Sequence, residues 1–302
     1  IAKYHASLGY NKQDGIIKNA SNEQFNGRIN VDVNISSKLS ARADLSYTNT
    51  LMKEPTNPIS WNNGNSTTTY RQIYRISPMV VYRYENGDYG YMADGNPIAW
   101  QDMGNTGDTR TDYINAFAEV KYNIIDGLNL KANTSYYTNI QDYTLYRGEL
   151  WYDDAKYDGP IRLTKKSTKE VRKQAEVLLT YDKTFSRHTL NVLAGFHGEK
   201  YTWEQFLASR KGFPSNEVTD LKGGETAGQT TDGYTRALNM NSFFGRIKYN
   251  YDDRYLIEAN VRADGTSRFA PEYRWGVFPS FSAAWRISNE DFMEPARGVI
   301  SD

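Results

Sequence analysis

The stretch RADGTSRFAPEYRWGVFPSFSAAWRIS, Arg262 to Ser288, alternates apolar and polar residues through its second half. Trp275, Val277, Phe281, Ala283 and Trp285 fall on one phase, and Arg274, Gly276, Ser280, Ser282 and Arg286 on the other. A two-residue period of this kind describes a strand with two unlike faces. At roughly 3.3 Å per residue and a tilt of about 40°, Trp275 and Trp285 stand about 25 Å apart along a membrane normal, the height of the apolar band of an outer-membrane barrel. The reading places both tryptophans in aromatic girdles, with Val277, Phe281 and Ala283 against lipid and the opposite phase against water. A soluble β-sandwich would bury the same apolar phase against a second sheet.

The same period runs through most of the chain. In FNGRINVDVNI the residues Phe25, Gly27, Ile29, Val31, Val33 and Ile35 are apolar or small, while Arg28 and Asp32 lie on the polar phase. Similar alternation near 4–12, 38–50, 112–124, 127–141, 169–183, 187–201, 237–250, 254–264 and 274–287 predicts about ten strands, many longer than the usual 5 to 6 residues. Val31, Val277, Phe281 and Ala283 are expected on the lipid face, and Arg28, Asp32, Arg262 and Arg286 on the interior face.

The joints between these strands come in two kinds. SSK, DG, TFSR and DDR are tight and rich in turn formers, and they alternate with long segments at 51–111, 142–168 and 202–236. In an up-and-down sheet the short turns then share one edge, with Ser37, Gly127, Phe185 and Asp253 on the periplasmic side and the long segments outside the cell. A sandwich leaves that asymmetry unexplained, and a compact soluble domain rarely carries so long a structureless segment.

Composition excludes several classes. The 302 residues carry 36 basic and 36 acidic side chains, a balance that offers no footprint for nucleic acid. No run approaches the roughly 18 consecutive apolar residues of a membrane helix. Cysteine is absent, which removes disulfides and thiolate metal sites. The opening IAKYHASLGY begins directly in alternation, without a basic n-region or an apolar h-region, and the closing ARGVISD is turn-like. The expectation is a piece of a longer chain.

RADGTSRFAPEYRWGVFPSFSAAWRISNEDFM resembles the signature of the SusC/RagA-type family of TonB-dependent outer-membrane transporters, which runs Arg, any residue, Asp-Gly-Ser-Ser-Arg-Phe, then Arg-Trp-Gly, Phe-Pro-Ser and Ala-Trp-Arg. Its residues here are Arg262, Asp264, Gly265, Arg268, Phe269, Arg274, Trp275, Gly276, Phe278, Pro279, Trp285 and Arg286, with Thr266 as the conservative departure. YHASLGYNKQDGIIKNA and SPMVVYRYENGDYGYMADGNPIAW are similar to an early barrel strand and an extracellular segment of the same family. The resemblance implies an all-β, antiparallel up-and-down transmembrane barrel of about 22 strands, of which residues 1–302 form a partial domain of about ten. It further implies an N-terminal plug and remaining strands elsewhere, and a Gram-negative outer membrane. The implied partners are a SusD-type surface lipoprotein, the TonB complex reached through the missing N-terminal part, and outer-membrane lipid. The cargo would be an oligosaccharide or, second, an oligopeptide; no cofactor and no nucleic acid are implied. Two other classes are a passive porin or adhesin-like barrel and a barrel-embedded hydrolase.

The signature is read as structural. Asp264-Gly265 is expected to give the positive φ of a tight outer turn, with Thr266, Ser267 and Arg268 hydrogen-bonding nearby backbone and carboxylates. Cargo selection is expected from the long segments, where Trp61, Tyr70, Trp100, Trp151 and Trp203 offer apolar ring faces to sugars or peptide side chains.

Enzyme chemistry finds little support. Of His5, His188 and His197, only His197 has a carboxylate, Glu199, two residues away on its own strand face, and no orienting group or nucleophile accompanies the pair. No G-x-S-x-G, P-loop, H-E-x-x-H or cysteine zinc pattern occurs. Asp153, Asp154 and Asp158 in WYDDAKYDGP lack the spacing of a calcium loop, and Gly223-Gly224 has no strand-to-helix context. The expectation is no enzyme and no metal site.

Overall fold

The structure is a computed structural model and describes residues 2–56, 66–92, 95–103 and 105–296. In chain order its strands are β1 (Ala2–Asp14), β2 (Ser21–Asn34), β3 (Leu39–Pro55), β4 (Thr106–Ile125), β5 (Leu128–Arg147), β6 (Leu150–Trp151), β7 (Tyr157–Asp158), β8 (Arg162–Phe185), β9 (His188–Lys211), β10 (Thr230–Tyr251), β11 (Tyr255–Thr266) and β12 (Trp275–Trp285). Strands β6 and β7 pair with each other, and the other ten form one antiparallel sheet in which each strand lies beside its neighbour in sequence. This is the up-and-down order expected from the alternating joints. Two helices, α1 (Ser66–Arg75) and α2 (Pro97–Asp102), lie between β3 and β4.

One face carries an apolar band across the sheet because the register holds from strand to strand, with a one-residue shift only between Asn123 and Ile125 at the end of β4. Val277 faces Ala263, which faces Phe243, which faces Phe196 and then Val177. On the far side Tyr4 faces Val31, then Ala43 and Ala118. Among the described residues no second sheet covers this face. Ile29, Val120, Val177, Ile247 and Ile257, all on strands with two neighbours, remain close to half exposed. A water-soluble sandwich would bury these side chains, so the arrangement is that of a sheet whose apolar face meets lipid.

Aromatic rows bound the apolar face. Phe185, His188, Tyr251, Tyr255 and Trp285 lie on one cross-strand row. Successive ring centroids along it are 5.3, 5.0, 6.3 and 6.4 Å apart. At the other limit Trp275, Phe243 and Phe196 contact one another at 6.1 and 5.1 Å. The apolar window also drifts along the register: Trp275 is on the row of Ala175, whereas Tyr136 is on the row of Lys173 and Tyr10 on the row of Lys169. A steady drift of this kind is what strands tilted to a barrel axis require.

The short joints, at 35–38, 126–127, 186–187 and 252–254, share one edge, and the longer ones, at 15–20, 56–105, 148–161, 212–229 and 267–274, share the other. Positive φ at Gly127 (81°), Ser186 (54°), Asp252 (53°) and Asp253 (56°) gives the tight turns a backbone twist that matches the strands. The fully buried apolar residues lie at the long-joint edge and beyond: Ala99, Trp100, Leu150 and Tyr152 form one cluster, and Ile161, Leu163 and Phe213 another.

Three expectations need correction. The strands run well past the apolar band, so 202–211 continues β9 and 230–236 opens β10; a ladder satisfies its backbone groups whether or not its side chains alternate. Gly265 has no positive φ and sits inside β11, where it faces Trp275; a Cβ there would come within 2.7 Å of the indole, so the glycine makes room for a ring. Arg274 and Arg286 flank β12 and are outside its alternation. Arg274 Nε donates to Phe269 O at 3.1 Å, and Arg286 pairs with Asp253 at 2.9 Å on the short-turn edge.

Candidate functional site

The polar face is concave, since residues from five adjacent strands line one hollow of about 670 Å³. Arg28 and Asn30 come from β2, Arg42 and Asp44 from β3, Asn115 from β4, Tyr137 from β5, and Glu170, Arg172 and Gln174 from β8. Alternation puts each of them opposite the apolar phase of its own strand. Short-range pairs neutralise much of the charge: Arg42–Asp44 at 2.8 Å, Lys248–Glu258 at 3.0 Å and Arg262–Asp264 at 2.7 Å. His197 lies 3.8 Å from Glu176 across the β8–β9 ladder, too long for a hydrogen bond, while Glu199 accepts from Gln174 instead.

Higher on this wall, toward the long joints, β8, β9 and β10 gather aromatic and guanidinium groups. Arg172 stands over the Tyr201 ring at 5.4 Å. Trp203 contacts Tyr234 at 4.9 Å, and Arg236 lies 5.0 Å from the Tyr234 centroid and 5.8 Å from that of Trp203. These rings are reachable from the concave side: Tyr234 is exposed and Trp203 is partly so. Trp203 lies on β9 and not on the loop that its sequence context suggests, held by neighbours that alternation alone does not reveal. Tyr201 and Trp203 are two residues apart, and that spacing was the available signal for a shared face. Tyr234 and Arg236 join them only through the register.

The other anticipated rings are dispersed. Trp61 lies outside the described residues. Tyr70 is exposed on α1. Trp151 is exposed and stacks on Tyr157 at 4.6 Å, its indole donating to Glu149 at 2.8 Å. Trp100 is 1 % exposed and is a core residue, contrary to the expectation of a ligand platform. The start of the helix is local and legible in NPIAW: the Asn96 side chain caps α2, accepting from Ile98 N at 2.8 Å and Ala99 N at 3.3 Å, and Pro97 starts the helix. Trp100 packs inward against the segment after β5, where its indole donates to the Tyr152 hydroxyl at 2.7 Å. Tyr152 donates onward to Asp158 at 2.7 Å, and burial, reinforced by that carboxylate, pushes its phenol far up. Asp153 accepts from Ala155 N and Lys156 N, so the acidic run of this segment folds its own hairpin.

Asparagines tie the long segments together. Asn105 accepts from Gly148 N at 2.8 Å, and Asn216 both accepts from Glu149 N at 2.8 Å and donates to Glu149 O at 3.0 Å. The segments after β3, β5 and β9 therefore form one cap over the long-joint edge.

No family model matches the chain. Among curated proteins it is 25% identical over 306 residues to TonB-dependent receptor P3 of Formosa agariphila, covering 99% of this chain and 30% of that one. It is 24% identical over 341 residues to TonB-dependent receptor SusC of Bacteroides thetaiotaomicron, covering 99% and 31%. Among solved structures, that of the RagAB peptide transporter superposes with a TM-score of 0.75 at 21% identity, over 96% of this chain and 33% of that one. The signature-like stretch lies along β11, the joint after it and β12, and these likenesses agree with it. The chain is similar in sequence and in fold to part of the SusC/RagA-type TonB-dependent receptors. It spans about a third or less of the length of the SusC/RagA-type proteins it matches. The ferric citrate transporter FecA shares the fold more distantly, with a TM-score of 0.51 at 8% identity. The shared fold makes the sheet part of a transmembrane β-barrel, whose two faces are lipid face and lumen wall.

Proposed function

We propose that this chain is part of the wall of an active outer-membrane importer of a Gram-negative bacterium. The whole protein takes up oligosaccharides in partnership with a SusD-type surface lipoprotein and draws energy through TonB, with its plug and remaining strands outside residues 1–302. The observation that supports this reading most is the sheet's division into one face with a continuous apolar band and one concave polar face with aromatic and guanidinium groups near its mouth. Rings such as Trp203 and Tyr234 offer flat apolar faces to sugar C–H surfaces, and Arg172 and Arg236 offer donors to hydroxyls. The same groups suit an oligopeptide, and RagAB is described as a peptide transporter. The wall acts by binding and guiding; no bond chemistry is assigned to it.

The test is uptake of labelled glycans and labelled peptides by cells carrying the intact gene and its lipoprotein gene. Energy-dependent accumulation of one cargo class, lost when TonB or the lipoprotein is deleted, is the expected result. Accumulation that persists without TonB would identify a passive pore instead.

A further inference from the structure

Beyond the apolar run, the outward phase of β8 and β9 gathers charges mostly of one sign. Just beyond the apolar run of β8, at the level where Tyr136 ends that run on β5, the outward positions are Lys173 and Lys169. On β9 the outward residue directly opposite Lys173 is Lys200. Like charges directly opposite on adjacent strands destabilise a sheet. None of the three ammonium groups comes within ion-pair distance of a carboxylate among the described residues, and Lys173 rests 5.9 Å from the Tyr136 ring. Glu204, opposite Lys169, is the one acid nearby.

These residues enclose space. A hollow of about 250 Å³ is lined by Tyr136, Lys169, Lys173, Lys200, Thr202 and Glu204, with Val171 between the two β8 lysines. Every one of them lies on the outward phase, so the hollow opens toward the membrane and away from the lumen. Its height is that of lipid headgroups, since Ala175, Val177 and Leu179 continue β8 into the apolar band. A charged side chain at this depth reaches to the interface by extending its stem along apolar surface.

We infer that this outward hollow binds the phosphate of a membrane lipid in the leaflet at the long-joint edge. Three ammonium groups around a space roomy enough for a phosphorylated headgroup, beside a hydroxyl from Thr202, match a dianionic headgroup whose acyl chains then run down the apolar face beside Val177 and Leu179. The lipid's negative charge relieves the repulsion between Lys173 and Lys200. This rests on the outer-membrane reading above, which makes that leaflet the outer one and its phosphorylated glycolipid the occupant.

The test uses the full-length receptor, purified in detergent and reconstituted in phosphatidylcholine nanodiscs with a minor fraction of diphosphoryl lipid A or its dephosphorylated form. Retained lipid is counted by native mass spectrometry, and inorganic phosphate alone is tried in parallel. The expected result is retention of the diphosphoryl form over the dephosphorylated one. Retention should fall by about fivefold for each of Lys169→Gln, Lys173→Gln and Lys200→Gln, given the attraction of one basic residue to an anionic surface. Lys173→Arg with Lys200→Arg should keep it, and Glu204→Gln should raise it. Equal retention of both lipid forms, or no loss in the triple glutamine variant while it still shows the heat-modifiable folded band, overturns the inference. Inorganic phosphate displacing the lipid fully at equal concentration would also overturn it, by reducing the hollow to a free-anion site. Cell fractionation separates this inference from the reading on which it rests: a receptor in the outer membrane without bound lipid loses only the hollow, and one outside it loses both.

Discussion

The Trp100 indole and the Tyr152 hydroxyl, 2.7 Å apart, join the segment after β3 to the segment after β5. Each is 1 % exposed, so the bond is made in a dry setting where an unpaired partner is costly. Trp100→Ala should destabilise the cap by about 3 kcal/mol, the lower end for a buried tryptophan. Hydrogen exchange should then speed up at 89–103 and 150–158 and remain unchanged in the strands near the short turns.

Trp203→Ala should behave in the opposite way. Its ring contacts Tyr234 and Arg236 on the lumen wall and is only partly buried. If it anchors cargo, a binding titration should show a loss of about 1 to 3 kcal/mol with an unchanged amount of folded barrel. Tyr234→Ala should give a similar loss, and the two together less than the sum, because they touch.

Gly265→Val should lower assembly. Already the Cβ would meet Trp275 within 2.7 Å, and the indole would have to leave its place in the upper aromatic row. Gly127→Ala should do the same at the other edge, where φ is 81° and the new carbon would lie 2.3 Å from the Asp182 carbonyl oxygen. The fraction of heat-modifiable folded band on a gel measures both, and Gly245→Ala, whose nearest atom is 3.5 Å away, should leave that fraction nearly intact.

Acid should loosen the short-turn edge beside β12. Hydrogen bonds from Tyr255 and Trp285, with Arg254 close by, hold the Glu290 carboxyl below its ordinary range. A carboxyl whose folded pKa is depressed contributes stability above its unfolded pKa, about 4.3 for glutamate, and loses it as the pH falls through the folded value. Proteolysis at 286–296 should therefore accelerate below about pH 4.3. In Glu290→Gln the same segment should be cut faster at neutral pH, with a weaker dependence on acid.

Cysteine scanning of the whole receptor checks the faces. Val31, Val277, Phe281 and Ala283 lie on the apolar phase, and Arg28, Asp32 and Arg262 on the polar one. A lipid-soluble spin probe should reach Cys at 31, 277, 281 and 283, and a water-soluble relaxant should reach Cys at 28, 32 and 262.

Much of this was legible because a strand exposed to two solvents must alternate, and Phe25 to Ile35 and Trp275 to Trp285 do so openly. Alternation fades where both faces meet water. KKSTKEVRKQ, Lys165 to Gln174, is almost wholly polar on both phases, so the extension of β8 and β9 beyond the membrane leaves no alternation to read, and Trp203 reads as a loop residue. The burial of Trp100 was harder still. NPIAW announces a capped helix, but which face turns inward depends on Tyr152, fifty-odd residues later and in another segment. Gly265 illustrates a third limit: Asp-Gly is a turn signal by composition, and only the register shows a ring lying over it.

The asparagine ties among the long segments bear on how such a receptor can change its diet. Asn105 serves Gly148, Asn216 serves Glu149, and Trp100 serves Tyr152, so each segment supplies hydrogen-bond partners that another requires. Exchanging one segment for that of a relative would strand partners, in a dry setting at Trp100–Tyr152 and Asn105–Gly148 and at the surface at Asn216–Glu149, whereas exchanging the three that follow β3, β5 and β9 together would carry their partners along. Inheritance of new specificity should therefore proceed in linked blocks, and chimaeras cut within β3 and β10 should express where single-loop grafts fail.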